Sequence, residues 1–118
     1  MAFKYAFSGL WYVIKTQKNA WVHAIATILV ICISYWLSLE SRDWAIIVIT
    51  IGMVWTAEII NTALEAIVDL ASPQQHPLAK VGKDVGAASV LIAAIASAII
   101  GLLILGPPLL QKIKSLGF

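Results

Sequence analysis

Three long apolar runs constrain this chain more than any other feature. Residues 20–39 and 85–105 carry no Asp, Glu, Lys or Arg, and residues 44–70 carry acids only from Glu58 onward. About 20 apolar residues in helical form match the ~30 Å hydrocarbon core of a bilayer. A backbone placed there must satisfy its own hydrogen bonds, which leaves helices or closed barrels. Runs of this length indicate helices, so the expected class is an all-α membrane protein with three transmembrane helices. Trp21 and Trp36 lie near the ends of the first run, as interfacial tryptophans do.

Composition agrees. The chain is 61% hydrophobic and 12% charged, against roughly 45–50% and about 25% in soluble domains. With 118 residues it is expected to form one domain spanning 1–118. A net charge of +2 gives no electrostatic footprint for nucleic acid. Cys32 is the single cysteine; it can form no internal disulfide and is expected to pack as a small hydrophobe.

Residues 1–19 read as an amphipathic helix lying in the headgroup layer. Phe3, Phe7, Leu10, Trp11 and Ile14 recur at helical spacing, with Lys4, Ser8 and Lys15 off that stripe. Residues 1–19 are polar-aromatic and hold no apolar core of the signal-peptide kind, so no signal peptide is expected there. Glu40-Ser41-Arg42-Asp43 forms a short polar turn between the first two spans. Residues 71–82, with Pro73 and Pro77, form a polar loop, and Gly106-Pro107-Pro108 is expected to stop the third span. With the N-terminus inside, Lys4, Lys15, Lys18, Lys80 and Lys83 face the cytoplasm, while Arg42, Lys112 and Lys114 lie outside. That excess favours a cytoplasmic N-terminus.

The chemistry is concentrated on the second span and the start of the third. Glu58, Asn61, Thr62, Glu65 and Asp69 follow the spacing i, i+3, i+4, i+7, i+11, which gathers them in a stripe about 100° wide on an otherwise apolar helix. An ionised carboxylate at the bilayer centre costs about 2.5–3.5 kcal/mol on an insertion scale. The acids also sit toward the negative end of the helix dipole. A sequence that keeps them there needs them for function. Lys80, Lys83, Asp84 and Ala87 share a face of the next helix, so acids and lysines converge at the cytoplasmic boundary. Phosphoryl transfer requires such types: carboxylates for Mg²⁺, a cation on the phosphates, and a group for the acceptor hydroxyl. The usual nucleotide cradles, G-x-x-x-x-G-K-[ST] and G-x-G-x-x-G, are missing. From the residues alone, a polar metal-binding site, an ion or proton carrier and a non-catalytic assembly subunit all remain open.

The segment Glu58-x-x-Asn61-Thr62-Ala63-x-Glu65-x-x-Val68-Asp69, then Ala79-Lys80 and Lys83-Asp84-Val85-Gly86-Ala87-Ala88, resembles the signature of the small prokaryotic diacylglycerol kinases, which include the undecaprenol kinases. Tyr5-Ala-Phe-Ser-Gly9-Leu10 and Asn19-x-x-x-His23 extend the resemblance, which covers about Phe3 to Leu105. It implies a homotrimer in the prokaryotic plasma (inner) membrane, with active sites shared between subunits. MgATP would phosphorylate the hydroxyl of diacylglycerol or undecaprenol at the cytoplasmic leaflet. By matching positions, Glu58 is the general base, Glu65 binds Mg²⁺, and Asn61 organises the site. Lys83 and Asp84 contact the nucleotide, flanked by Tyr5, Gln74, Gln75 and His76. Asp69, Lys80 and Ala87 also match the motif, Ala87 on the substrate side; His23, one turn inside the first span, is either a hydrogen-bonded structural histidine or a residue lining the lipid's entry. Gln17 stands where the family has a second acidic metal ligand, so this chain would bring one charge fewer to the ion.

Overall fold

The computed structural model describes residues 2–117. Four helices run in chain order: α1, Ala2–Thr16; α2, Lys18–Trp36; α3, Ser41–Ala71; and α4, Pro77–Ser115. The last three are each long and apolar enough to cross a membrane. The expected surface helix and three spans are therefore present, in a body 59 × 35 × 22 Å across, with no strand among the described residues.

The helix ends differ from the expected ones, each for a local reason. The first break falls at Gln17 and not after Asn19. Gln17 is extended (φ −104°, ψ 119°) and serves as N-cap of α2, while its side chain caps nothing. Lys18 and Asn19 therefore begin the first span. That span ends at Trp36, earlier than Leu39, because Ser38 takes a left-handed conformation (φ 55°). Ser38 N–H donates to Tyr35 O (3.1 Å) and Leu39 N–H to Ser34 O (3.4 Å), the paired bonds of a Schellman stop. Residues 37–40 thus make the turn, and Ser41-Arg42-Asp43 already form the first turn of α3. Asp43 there complements the positive end of the helix dipole.

The loop before α4 is also shorter than expected, at 72–76. His76 is the N-cap; its Nδ1 accepts from Leu78 N–H at 3.1 Å. Pro77 follows at the first helical position, where a missing N–H costs nothing. At the far end, Gly106-Pro107-Pro108 does not stop α4, which runs through both prolines to Ser115. A proline ring fits helical φ and forfeits one backbone bond, a loss tolerated within a helix that continues on both sides. The continuation is anchored by Lys112, whose Nζ lies 5.3 Å from the centre of the Trp36 ring.

Helices α3 and α4 pack antiparallel and form the main interface. Gly82 brings α4 to ordinary contact with Val68, and Gly86 brings it flush against Asn61 and Leu64. Small residues at such crossings let membrane helices approach closely. The buried apolar set is small: Val13, Ala20, Ile47, Val90, Ala93 and Leu105. Most large apolar side chains, Cys32 also, point outward, where hydrocarbon replaces a protein core. On α1, Val13 is buried against the body while Phe3, Phe7 and Trp11 remain exposed, the disposition of an interfacial helix.

Candidate functional site

The site begins with an unusual burial. Glu58, in the middle of α3, is 1% exposed. Thr62 one turn on satisfies itself by donating to Glu58 O (2.9 Å), and Thr50 does likewise to Ile46 O (2.7 Å). The carboxylate has no such outlet. Its Oε2 lies 3.4 Å from His23 Nε2 on α2, close but without hydrogen-bond alignment, and among the described residues neither atom has another partner. One turn further, Asn61 Nδ2 donates to Glu65 Oε1 (3.4 Å), while Asn61 Oδ1 is buried and unpaired. Among the described residues five buried polar atoms lack a partner. Three of them, on His23, Glu58 and Asn61, belong to this stripe. Buried polar groups are almost always satisfied, so the cluster is built to receive something.

Toward the polar end the stripe opens into a cleft of about 710 Å³. Asp69 lines it from α3, Ser72, Gln74 and Gln75 from the loop, and Lys83 and Asp84 from α4. Lys83 Nζ meets Asp69 Oδ1 at 2.6 Å, and Lys80 Nζ meets Asp84 Oδ2 at 2.6 Å. Both lysines precede the apolar part of α4. The hydrogen bond Lys83 donates to Asp69 holds it above the usual lysine pKa, with a smaller attraction from Glu65. The bond Lys80 donates to Asp84 does the same for Lys80. Lys83 is thus a fixed cation between the cleft and the acidic stripe. From Glu58 to Asp69 the rise along α3 is about 16 Å, so the two parts form one elongated track from bilayer interior to aqueous rim.

The sequence-derived candidates divide accordingly. Glu58, Asn61 and Glu65 lie on the inner stripe; Gln74, Gln75, His76, Lys83 and Asp84 line the cleft. Ala87 is exposed on α4. Tyr5 is 73% exposed on α1, and neither it nor Gln17 lines the cleft of its own chain. Among the described residues no three of His, Cys, Asp and Glu converge as a ready-made metal cage. A Mg²⁺ ion takes one or two carboxylates and completes its shell with phosphate and water; half-buried Glu65, already turned toward Asn61, is the one carboxylate the sequence assigned to that role. The sequence reading missed the pairing of His23 with Glu58. An ionisable residue within a span was the available signal, but nothing in the spacing says which faces which.

Fold and site together define a small membrane protein whose carboxylate track leads from the bilayer to an aqueous cleft. The family profile described as prokaryotic diacylglycerol kinase matches residues 4–105, and the chain belongs to that family. It is 42% identical over 112 residues to a diacylglycerol kinase of Synechocystis sp. (strain ATCC 27184 / PCC 6803 / Kazusa), covering 94% of this chain and 64% of that protein. It is 40% identical over 108 residues to the undecaprenol kinase of Bacillus subtilis (strain 168), covering 92% and 88%. Identity to the diacylglycerol kinase of Escherichia coli (strain K12) is 32% over 92 residues, covering 72% and 75%. The chain thus spans about two thirds of the Synechocystis protein's length and most of the Bacillus one's. All three relatives are named as lipid kinases, which disfavours the carrier and assembly readings.

Proposed function

We propose that this member of a lipid-kinase family transfers the γ-phosphoryl group of MgATP to the hydroxyl of a membrane lipid. The acceptor is diacylglycerol, giving phosphatidate, or undecaprenol, giving undecaprenyl phosphate. The observation that carries this reading is the position of Glu58. A carboxylate base for a soluble substrate belongs in a watery cleft. This one is buried at mid-helix, beside His23, which borders an apolar cavity of about 330 Å³ between α2, α3 and α4. An acceptor meeting it arrives from the hydrocarbon side, while ATP enters from the cleft.

In the reaction the lipid oxygen attacks the γ-phosphorus, its proton passes to Glu58, and the bond to the β-phosphate oxygen breaks, releasing ADP. General-base catalysis by a placed carboxylate contributes about 10²–10⁴-fold. Lys83 meets the phosphates, Asp84 and the Gln74-Gln75-His76 loop hold the nucleotide, and Asn61 keeps Glu65 in place. Ala87 leaves room beside the lipid. Glu65, with the carbonyl of Gln17, would hold Mg²⁺, which supplies charge neutralisation on the phosphates. Tyr5 and Gln17 do not line their own chain's cleft, which is compatible with a homotrimer in which they serve a neighbour's site and whose packing covers part of the exposed apolar surface. The excess of basic residues on the N-terminal side supports a cytoplasmic N-terminus in the inner membrane.

The test is a phosphorylation assay in mixed micelles with labelled ATP and Mg²⁺, diacylglycerol and undecaprenol being supplied in parallel. Labelled phospholipid that disappears in Glu58→Gln supports the reading and identifies the acceptor. Folded protein that labels neither lipid overturns it.

A further inference from the structure

We propose that His23 is a positioning residue for Glu58: its Nε2 holds Oε2 of the carboxylate, leaving Oε1 to meet the lipid hydroxyl. The inference deepens the assignment of Glu58 as base and rests on it.

Four observations carry it. The two atoms face each other at 3.4 Å across the α2–α3 interface. Both are fully buried and, among the described residues, neither has any other partner, so each is the group within reach that can satisfy the other. The imidazole is itself fixed. Trp55 packs edge-on against it, with centroids 6.3 Å apart and planes at 66°. Trp55 Nε1 then donates to Thr27 Oγ1 (3.0 Å), which donates to the carbonyl of His23 (2.7 Å). Trp55 and Glu58 are three residues apart on α3, so one face of α3 grips both the histidine ring and its backbone. A lipid-lining histidine would need no such clamp. A base oriented by a third group is the recurring logic of activated sites. The arrangement also explains how an acid 1% exposed is tolerated inside a span, where ionisable groups pair with one another.

The experiment compares His23→Leu, which removes the ring nitrogens, with His23→Gln, which keeps a donor. It adds ring-nitrogen NMR of the native chain and of Glu58→Gln. Initial rates are measured against ATP and against the acceptor lipid in mixed micelles. His23→Leu should lower kcat by about 10–100-fold, the range for groups that orient a functional ligand, with both KM values nearly unchanged. His23→Gln should recover most of the loss. The chain has two histidines, so two sets of ring signals are expected; Glu58→Gln should shift those of His23 and leave those of His76. The proposal is overturned by a native kcat in His23→Leu, by equal losses in Leu and Gln variants, by a rise confined to the lipid KM, or by an unmoved His23 signal. If His23→Leu does not fold, the NMR pair decides alone. Native protein that makes no phospholipid would instead defeat the kinase reading, and the NMR comparison still reports on the pairing.

Discussion

Gly86 on α4 lies flush against Asn61 on α3, with the amide oxygen of Asn61 occupying the place a Cβ at position 86 would take. The glycine is therefore what allows the two helices to close over the inner stripe. Asn61 is 7% exposed and its amide nitrogen is engaged with Glu65, so it has little freedom to retreat. Gly86→Ala should cost about 1–3 kcal/mol, as overpacking does. It should also raise the KM for ATP by displacing Asn61 and Glu65 together. Detergent-titrated unfolding and initial rates check both. Native values for both would mean that the asparagine swings aside freely.

Lys83 bridges α4 to Asp69 at the rim of the cleft. An exposed pair of this kind adds little to stability, so its value lies in where it puts the cation. Lys83→Met should leave thermal unfolding nearly unchanged while raising the KM for ATP about tenfold or more, the scale of a lost charge-assisted bond. Asp69→Asn, which frees the lysine without removing it, should do less. The hydrogen bond Lys83 donates to Asp69 raises its pKa above 10.5. A raised lysine keeps its charge, and its share of stability, below the unfolded value and loses both only as pH climbs through the folded one. The KM for ATP should then show no Lys83-dependent change from neutral to mildly alkaline pH. A rise in that range would sink the assignment.

Gln17 caps nothing at the head of α2, so its side chain is free for a ligand. If it and Glu65 share a magnesium ion, Gln17→Glu restores a second carboxylate and should lower the Mg²⁺ concentration for half-maximal rate several-fold, because Mg²⁺ sites rest on one or two carboxylates. Glu65→Gln should move it the other way. A Mg²⁺ titration at fixed ATP reads both, and identical curves for Gln17→Glu and the native chain would remove Gln17 from the metal site.

The spans and the polar stripe were legible in the sequence because both are periodic: apolar length reports the bilayer, and Glu58, Asn61 and Glu65 repeat at helical spacing. Helix ends were less so. Gln17 breaks the chain without a glycine or proline to announce it, and Pro107-Pro108, which would end a helix in water, are carried inside α4. The pairing of His23 with Glu58 was illegible for a different reason. It depends on the rotation of α2 against α3, which the Trp55–Thr27 bond accompanies, and that contact joins positions 28 residues apart.

The turn between α2 and α3 offers a test that does not touch the site. Ser38 holds a left-handed backbone (φ 55°), and both Schellman bonds, from Ser38 to Tyr35 and from Leu39 to Ser34, require that conformation. A Cβ is strained there and glycine is not. Glycine also loosens the unfolded chain, which offsets part of the gain. Relief of strain is the larger effect at a position fixed by two bonds, so Ser38→Gly should stabilise the fold by about 0.5–1 kcal/mol and leave kcat and KM unchanged. Ser38→Val, β-branched and ill-suited to positive φ, should destabilise it. Detergent-titrated unfolding of the two variants decides: equal stabilities would mean that the turn relaxes away from the left-handed form, and the hairpin would then owe its geometry to helix packing and not to this stop.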